Sequence, residues 1–238
     1  MSPGALSAID ERSPLDSVPL VVFDTETTGL DPWDEGHRVV SLAMVHATLD
    51  GVETRDVLSV VVDPERSVPA AAAAVHGLTD AWLAEQRAKG ELPRWAEIQP
   101  RVAAGMRGRL PMAYNLRFDA QMLRAALGRP RPPADYTPPG LDPRLWAAAL
   151  WPGERQRLGD VCQRLGVELH DWHNALADTH AALAAARGML PLLRAAGHRM
   201  DTVGDAYALQ RRFAAEVEAA YTSRRARRGR STRGSSRR

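Results

Sequence analysis

The period of the hydrophobic positions changes several times along the chain, and each change marks an element. Residues 1–17 mix Pro, Ser, Gly and charge without any period and predict a flexible leader. Val18 to Phe23 is a short unbroken apolar run bounded by turn residues, the pattern of a strand buried on both faces. Thr28-Gly29-Leu30-Asp31-Pro32 follows as a turn. Val39 to Leu49 is rich in β-branched and apolar residues, Asp50-Gly51 is a hairpin dipeptide, and Val57 to Val62 is the return strand, closed by Asp63-Pro64. The first three strands therefore read as an antiparallel meander.

The period then lengthens. Thr79 or Asp80 caps a short helix over Ala81 to Ala88. Trp95 to Met106 places apolar residues at helical spacing and ends before Gly108, and Leu110 to Tyr114 reads as a fourth strand. Phe118, Met122, Leu123 and Ala126 recur at three- and four-residue steps, which predicts a helix over 117–127. The stretch 129–140 is too proline-rich for regular helix or sheet, because proline removes donors and fixes φ. It reads as a loop, either a border of a site or a plain connector. Order resumes at Leu141 to Leu150 behind Asp142, then at helices over Leu158 to Leu165, Ala175 to Ala196 and Asp201 to Tyr221. Strands in series followed by helices interleaved with strands predict an α/β fold with a mixed sheet. The expected division is a leader at 1–17, a main domain at 18–196, a C-terminal helix at 197–222 and a disordered tail at 223–238.

Charge alters this picture. The 31 Lys and Arg against 29 Asp and Glu give a net of +2. Eight of the arginines, and no acid, lie in Arg224 to Arg238. Without that tail, 23 basic residues stand against 29 acidic ones, a net of −6. The body is thus acidic and the tail basic. Such a tail is either a solubilising end or an attractor of phosphates with little sequence preference. The single cysteine, Cys162, excludes an internal disulfide framework and a cysteine-based zinc cluster. No run of about 18 apolar residues predicts a membrane span, and the N-terminus lacks the pattern of a secretory signal. A cytoplasmic setting is the expectation.

Three local patterns carry candidate chemistry. In Phe23-Asp24-Thr25-Glu26-Thr27-Thr28-Gly29 two carboxylates stand two residues apart at the end of a buried strand, so they project to one face if the strand persists. They are tolerable there with a divalent cation between them, for which hard oxygen ligands suit Mg²⁺ or Mn²⁺; the alternative is a capped strand end with solvated acids. In Ala113-Tyr114-Asn115-Leu116-Arg117-Phe118-Asp119 a short strand runs into a helix, with Asn115 a candidate N-cap. Asp119 there is either a site carboxylate or a partner of the helix dipole. In His173-Asn174-Ala175-Leu176-Ala177-Asp178 a His and an Asp flank a helix start that Asn174 can cap. A zinc site of His170, His173 and His180 is disfavoured, because His180 would lie about 200° around the helix from Asp178.

In this order and spacing, Asp24-x-Glu26, Asn115-x3-Asp119 and His173-x4-Asp178 resemble the three motifs of the DnaQ-like (DEDDh) 3′→5′ exonuclease family. The intermediate Val75-His76-Gly77-Leu78-Thr79-Asp80 resembles a family segment as well, and the likeness runs from about Val18 to Leu193. The wording Phe23 to Leu30 is closer to proofreading members than to oligoribonuclease or ribonuclease T types. One departure is visible: the second strand reads Ser41-Leu42-Ala43 where the family often has an acidic residue and Gly, a change expected to touch packing rather than the metal set.

The resemblance implies a ribonuclease H-like fold and two divalent cations, Mg²⁺ or Mn²⁺, held by Asp24, Glu26, Asp119 and Asp178. Two ions about 3.5–4 Å apart generate hydroxide and stabilise both the attacking and the leaving oxygen of a phosphodiester. His173 is implied as general base, a role that an ordinary histidine pKa suits at neutral pH. The implied reaction releases nucleoside 5′-monophosphates from the 3′ end of single-stranded or frayed DNA. The backbone at Thr27, Thr28 and Gly29, the Leu30 side chain and Asn115 are candidate substrate contacts. Trp33 is either a stacking residue for a base or a packing residue, and His76 either faces the cleft or is structural. Two alternatives stand beside this reading: a nuclease-like subunit that serves a polymerase assembly through its C-terminal helix and tail, and an exoribonuclease for short RNA.

Overall fold

The apolar run at Val18 opens a strand that continues past Phe23, because its polar end still finds ladder partners. In the computed structural model β1 spans Leu20–Thr27. It pairs antiparallel with β2 (Val39–Ala47), so that Asp24 lies opposite Ala43 and Glu26 opposite Ser41. β2 pairs antiparallel with β3 (Thr54–Val61), and β1 pairs in parallel with β4 (Leu110–Met112). The sheet order is β3-β2-β1-β4, the expected meander plus one parallel strand. The structure describes residues 9–133, 136–168, 174–215 and 217.

Among the described residues, helices flank this sheet: α1 (Ala70–His76), α2 (Asp80–Lys89), α3 (Trp95–Met106), α4 (Leu116–Ala126), α5 (Pro143–Leu150), α6 (Leu158–Leu165) and α7 (Ala175–Ala195). A further helix, α8, runs over 203–215. The caps follow the sequence: Thr79 accepts from the Trp82 N–H, Asp142 from the Arg144 N–H and Asn174 from the Leu176 N–H. None of the described helices is long and apolar enough to cross a membrane. Helix α1 has no counterpart in the predicted elements. Five successive alanines carry no amphipathic period, and none of its residues is buried.

Strand alternation separates two cores. Leu20 and Val22 join Val45 and Ala47 beneath α5, α6 and α7, around the fully buried Trp146. Val21 and Phe23 join Leu42, Met44 and Leu58 beneath α3 and α4. Side chains of one strand alternate between faces, so even positions of β1 look toward α7 and odd positions toward α4.

The chain's beginning departs from the flexible leader expected at 1–17. Over its described part, 9–17, it is a tight turn that docks on the start of α8: Leu15 is completely buried and its N–H donates to the Asp201 carbonyl, while the Val203 N–H donates to the Ser13 carbonyl. Leu15 and Val18, three residues apart, supply the apolar anchor that composition alone conceals. Met200, Val203, Ala206, Leu209 and Phe213 carry α8 into the same core as α7. The Arg-rich tail lies outside the described residues.

Candidate active site

The strand parity of β1 builds the site. Asp24 and Glu26 occupy even positions and therefore face α7, whose first turn carries Asp178. Carboxylate oxygens of Asp24, Glu26 and Asp178 all lie within 4.8 Å of one another. Thr25, at the odd position between them, turns to the opposite face and meets α4. There Asp119, only 2% exposed, takes the Thr25 N–H at 3.0 Å and the Thr25 hydroxyl at 2.6 Å on Oδ1. Three acids thus converge at the end of β1, and a fourth approaches around the strand edge, oriented by Thr25.

Electrostatics reflects this crowding. Burial, then the charges of Asp119, Glu26 and Asp178, holds the Asp24 carboxyl well above its ordinary range. Glu26 is pushed up to about 7 by burial and by Asp178 and Asp119. Asp119 is raised to about 7 by burial, against the opposing pull of its Thr25 hydrogen bonds. Deprotonating such a set requires positive charge nearby. The donors are all carboxylate oxygens, which suit hard divalent cations rather than thiophilic ones.

Other candidate residues fall into place around this cluster. Thr28 is buried; its hydroxyl accepts from the Arg38 N–H at 3.0 Å and lies 3.0 Å from His37 Nδ1. Gly29 has a reason the sequence does not reveal. A Cβ there would run into the His37 imidazole, so this glycine makes room for a side chain of its own protein. The Thr27 hydroxyl donates to the Gly29 carbonyl, which tightens the turn, and Leu30 projects from it 65% exposed. His76 sets Nε2 3.3 Å from the Thr27 carbonyl and accepts the Leu78 N–H on Nδ1, so it touches the end of β1.

Asn115 stands at the N-cap position of α4 in the left-handed conformation, φ 72°, but its side chain does not cap. Its Oδ1 accepts from Arg144 at 2.8 Å, and its N–H donates to the Asp142 carboxylate at 2.9 Å. Trp33 lies under the Arg131 guanidinium, which also pairs with Asp31 and Asp34. This ties the post-β1 turn to the proline-rich loop. His180 is taken by Asp56 on β3, 2.7 Å away, and is not among the residues grouped with Asp24, Glu26 and Asp178. His173 and His170 lie outside the described residues. The Ser41 and Ala43 departure sits opposite the two carboxylates in register, so it touches the rim of the site rather than packing alone.

Sequence reasoning missed Thr25, Arg144 and His37. Alternation along a strand flanked by two acids signals that the residue between them serves the other face; Arg144 and His37 left no local signal. A separate cleft of about 220 Å³ opens between His37, Arg38, Trp95 and Met122, and none of the clustered carboxylates lines it.

Comparison with known proteins bears on this arrangement. A family model described as Exonuclease (RNase_T) matches residues 21–186. A DNA polymerase III subunit epsilon-like protein of Rhodobacter capsulatus is 35% identical over 200 residues, 82% of this chain, which spans only 27% of that protein. The DNA polymerase III subunit epsilon of Treponema pallidum is 27% identical over 170 residues, 70% of this chain and 74% of its own length. Among solved structures, exonuclease X in complex with 5′ overhanging duplex DNA superposes with a TM-score of 0.53 at 20% identity, over 79% of this chain and 98% of that one. E. coli exonuclease I in complex with a dT13 oligonucleotide gives 0.58 at 19%, over 75% of this chain and 41% of that one. These neighbours share the ribonuclease H-like fold.

Proposed function

Since this chain belongs to the DnaQ-like exonuclease family, on a family match covering residues 21–186, we propose that it is a metal-dependent 3′→5′ exonuclease. Its substrate would be single-stranded or frayed DNA, its product nucleoside 5′-monophosphates and its setting the cytoplasm. The observation that carries this reading is the cluster of Asp24, Glu26 and Asp178 within 4.8 Å, with Asp119 oriented beside it by Thr25. The polarity of attack and the single-strand preference rest on the order and spacing of the three motifs, and DNA as the polymer is supported by relatives named DNA polymerase III subunit epsilon.

In this proposal Asp24, Glu26, Asp119 and Asp178 hold two Mg²⁺ or Mn²⁺ ions. Bound there, such ions supply an activated water and stabilise charge on the attacking and leaving oxygens. Asp24, on the buried strand, would be a ligand common to the site, and the β1–β2 pairing sets it two residues from Glu26 on the same face. His173 would accept the proton of the attacking water. Leu30 and the Thr27 to Gly29 turn meet the terminal nucleotide, and Asn115, its Oδ1 held by Arg144, adds a polar contact. A second reading, that the chain serves a polymerase assembly, is favoured by the epsilon names of its relatives.

The test is 5′-labelled single-stranded DNA and RNA incubated with Mg²⁺, Mn²⁺ or EDTA. A ladder shortening from the 3′ end on DNA, abolished by EDTA, is the expected result. Preferential digestion of RNA would replace the DNA reading with an exoribonuclease. No turnover of either polymer with either metal would overturn the proposal.

A further inference from the structure

The family match ends at residue 186, and α8 over 203–215 lies beyond it. One buried polar residue of α8 nevertheless reaches the part of the fold that carries Asp119. Gln210 is 6% exposed. Its Oε1 accepts the Asp142 N–H at 2.7 Å and its Nε2 donates to the Gly140 carbonyl at 3.1 Å.

These two bonds complete a pattern. The backbone of Leu141 is already paired on one side: its N–H donates to the Pro111 carbonyl at 2.8 Å, and its carbonyl accepts the Ala113 N–H at 3.3 Å. Gly140 and Asp142 present the opposite edge, where the next strand of a sheet would pair. No described strand lies there, and the Gln210 amide supplies both a donor and an acceptor in its place. Buried backbone groups left unpaired are costly, so this side chain closes a strand edge, beside Tyr207 of the same helix, whose hydroxyl oxygen accepts from the Gly140 N–H.

The edge it closes leads to the site. The Asp142 carboxylate receives the N–H of Asn115 at 2.9 Å and of Arg144 at 3.0 Å, and Arg144 in turn holds the Asn115 side chain. Asn115, in its left-handed conformation, sets the start of α4, and Asp119 is in the first turn of that helix. We propose that Gln210 is a positioning residue for the carboxylate site, acting through Asp142 and Asn115 on Asp119, and that α8 is therefore a working part of the nuclease. The proposal rests on the exonuclease reading for its consequence, but its structural link can be read without turnover.

The experiment compares the full chain with Gln210→Met, which keeps volume and loses both hydrogen bonds, and with Leu209→Ala, which loosens the same helix without touching Gly140 or Asp142. Both are measured well below their melting temperatures. Expected for Gln210→Met are faster amide hydrogen exchange at Asn115 and Asp142, and Mn²⁺ binding by calorimetry weakened about tenfold, the low end for groups supporting a metal ligand. Expected for Leu209→Ala is a lowered melting temperature with both readouts unchanged. Should Gln210→Met fail to fold, Gln210→Glu, which keeps the acceptor and loses the donor, decides by the same two readouts. Wild-type exchange and Mn²⁺ affinity in the Gln210 variant, or equal changes in both variants, would overturn the assignment. Loss of the exonuclease reading would show separately, as an inactive wild-type protein whose amide exchange still responds to Gln210.

Discussion

Acidic residues of this protein live in two kinds of place. Asp63 is buried, yet it faces Arg87 through two 2.8 Å hydrogen bonds, which hold its carboxyl below the ordinary range. Glu53 with Arg109 follows the same rule, and Asp31 is held down first by the Asp34 N–H, then by the Trp33 N–H and Arg131. At the end of β1 the rule inverts: Asp24, Glu26 and Asp119 face other carboxylates, and burial and mutual repulsion raise all three above their ordinary values or hold them there against hydrogen bonds. The same residue type is stabilising in the first setting and costly in the second. A fold that sets acids against arginine in the first setting and gathers carboxylates together in the second suits positive charge at that point.

The sharpest way to break this contrast is at the reacting end. Asp24→Asn or Asp119→Asn keeps shape and removes a charge; either is expected to lower exonuclease turnover at least about 1,000-fold, roughly 4 kcal/mol on the barrier. Circular dichroism should stay native. Retention of a tenth of the activity would remove that residue from the metal set.

Stability should move in opposite directions in the two regions. In metal-free protein at pH 8, Glu26→Gln is expected to stabilise by about 2 kcal/mol, somewhat under the full value of a shift from 4.5 to about 7. Asp63→Asn is expected to destabilise by about 1 kcal/mol through loss of the Arg87 pair, whose guanidinium side is half exposed. Urea unfolding of both variants checks the pair; the same sign for both would refute the comparison.

The smallest effect is a slope. Glu26 and Asp119 titrate near 7 in the folded chain and near the ordinary carboxylate range when unfolded, so the folded state binds more protons in between. Stability of the metal-free protein is then present at about pH 4–5 and lost as pH rises through about 7, at up to ~1.4 kcal/mol per pH unit for each group. Melting temperatures in EDTA from pH 5 to 8 should fall, and Mg²⁺ should flatten the fall. A rise with pH in EDTA would contradict the buried cluster.

Much of this was legible beforehand, for identifiable reasons. α3 and α6 begin and end where the apolar period and its breakers place them, because their buried residues recur on one face. The three motifs mark Asp24, Glu26, Asp119 and Asp178, because two-residue alternation and helix starts are local geometry. Long-range packing hid the rest. Leu15 looks like one apolar residue in an irregular leader until Asp201 and Val203 dock on it. Asn115 reads as an N-cap, but Arg144, 29 residues away, captures its oxygen. Gly29 reads as a candidate substrate contact, and nothing in its local sequence shows that a Cβ there would meet His37.

The sequence by itself determined most of the elements, the family and the identity of the candidate acids, since period, caps and motif spacing act over a few residues. Only the tertiary structure decided that Asp24, Glu26 and Asp178 meet on one face of β1 while Asp119 arrives from the other. Only it decided that α8, beyond the family match, joins the same fold through Gln210. Those outcomes depend on which strands pair and which helices cover them, and no local pattern encodes a contact between residues 94 positions apart such as Thr25 and Asp119.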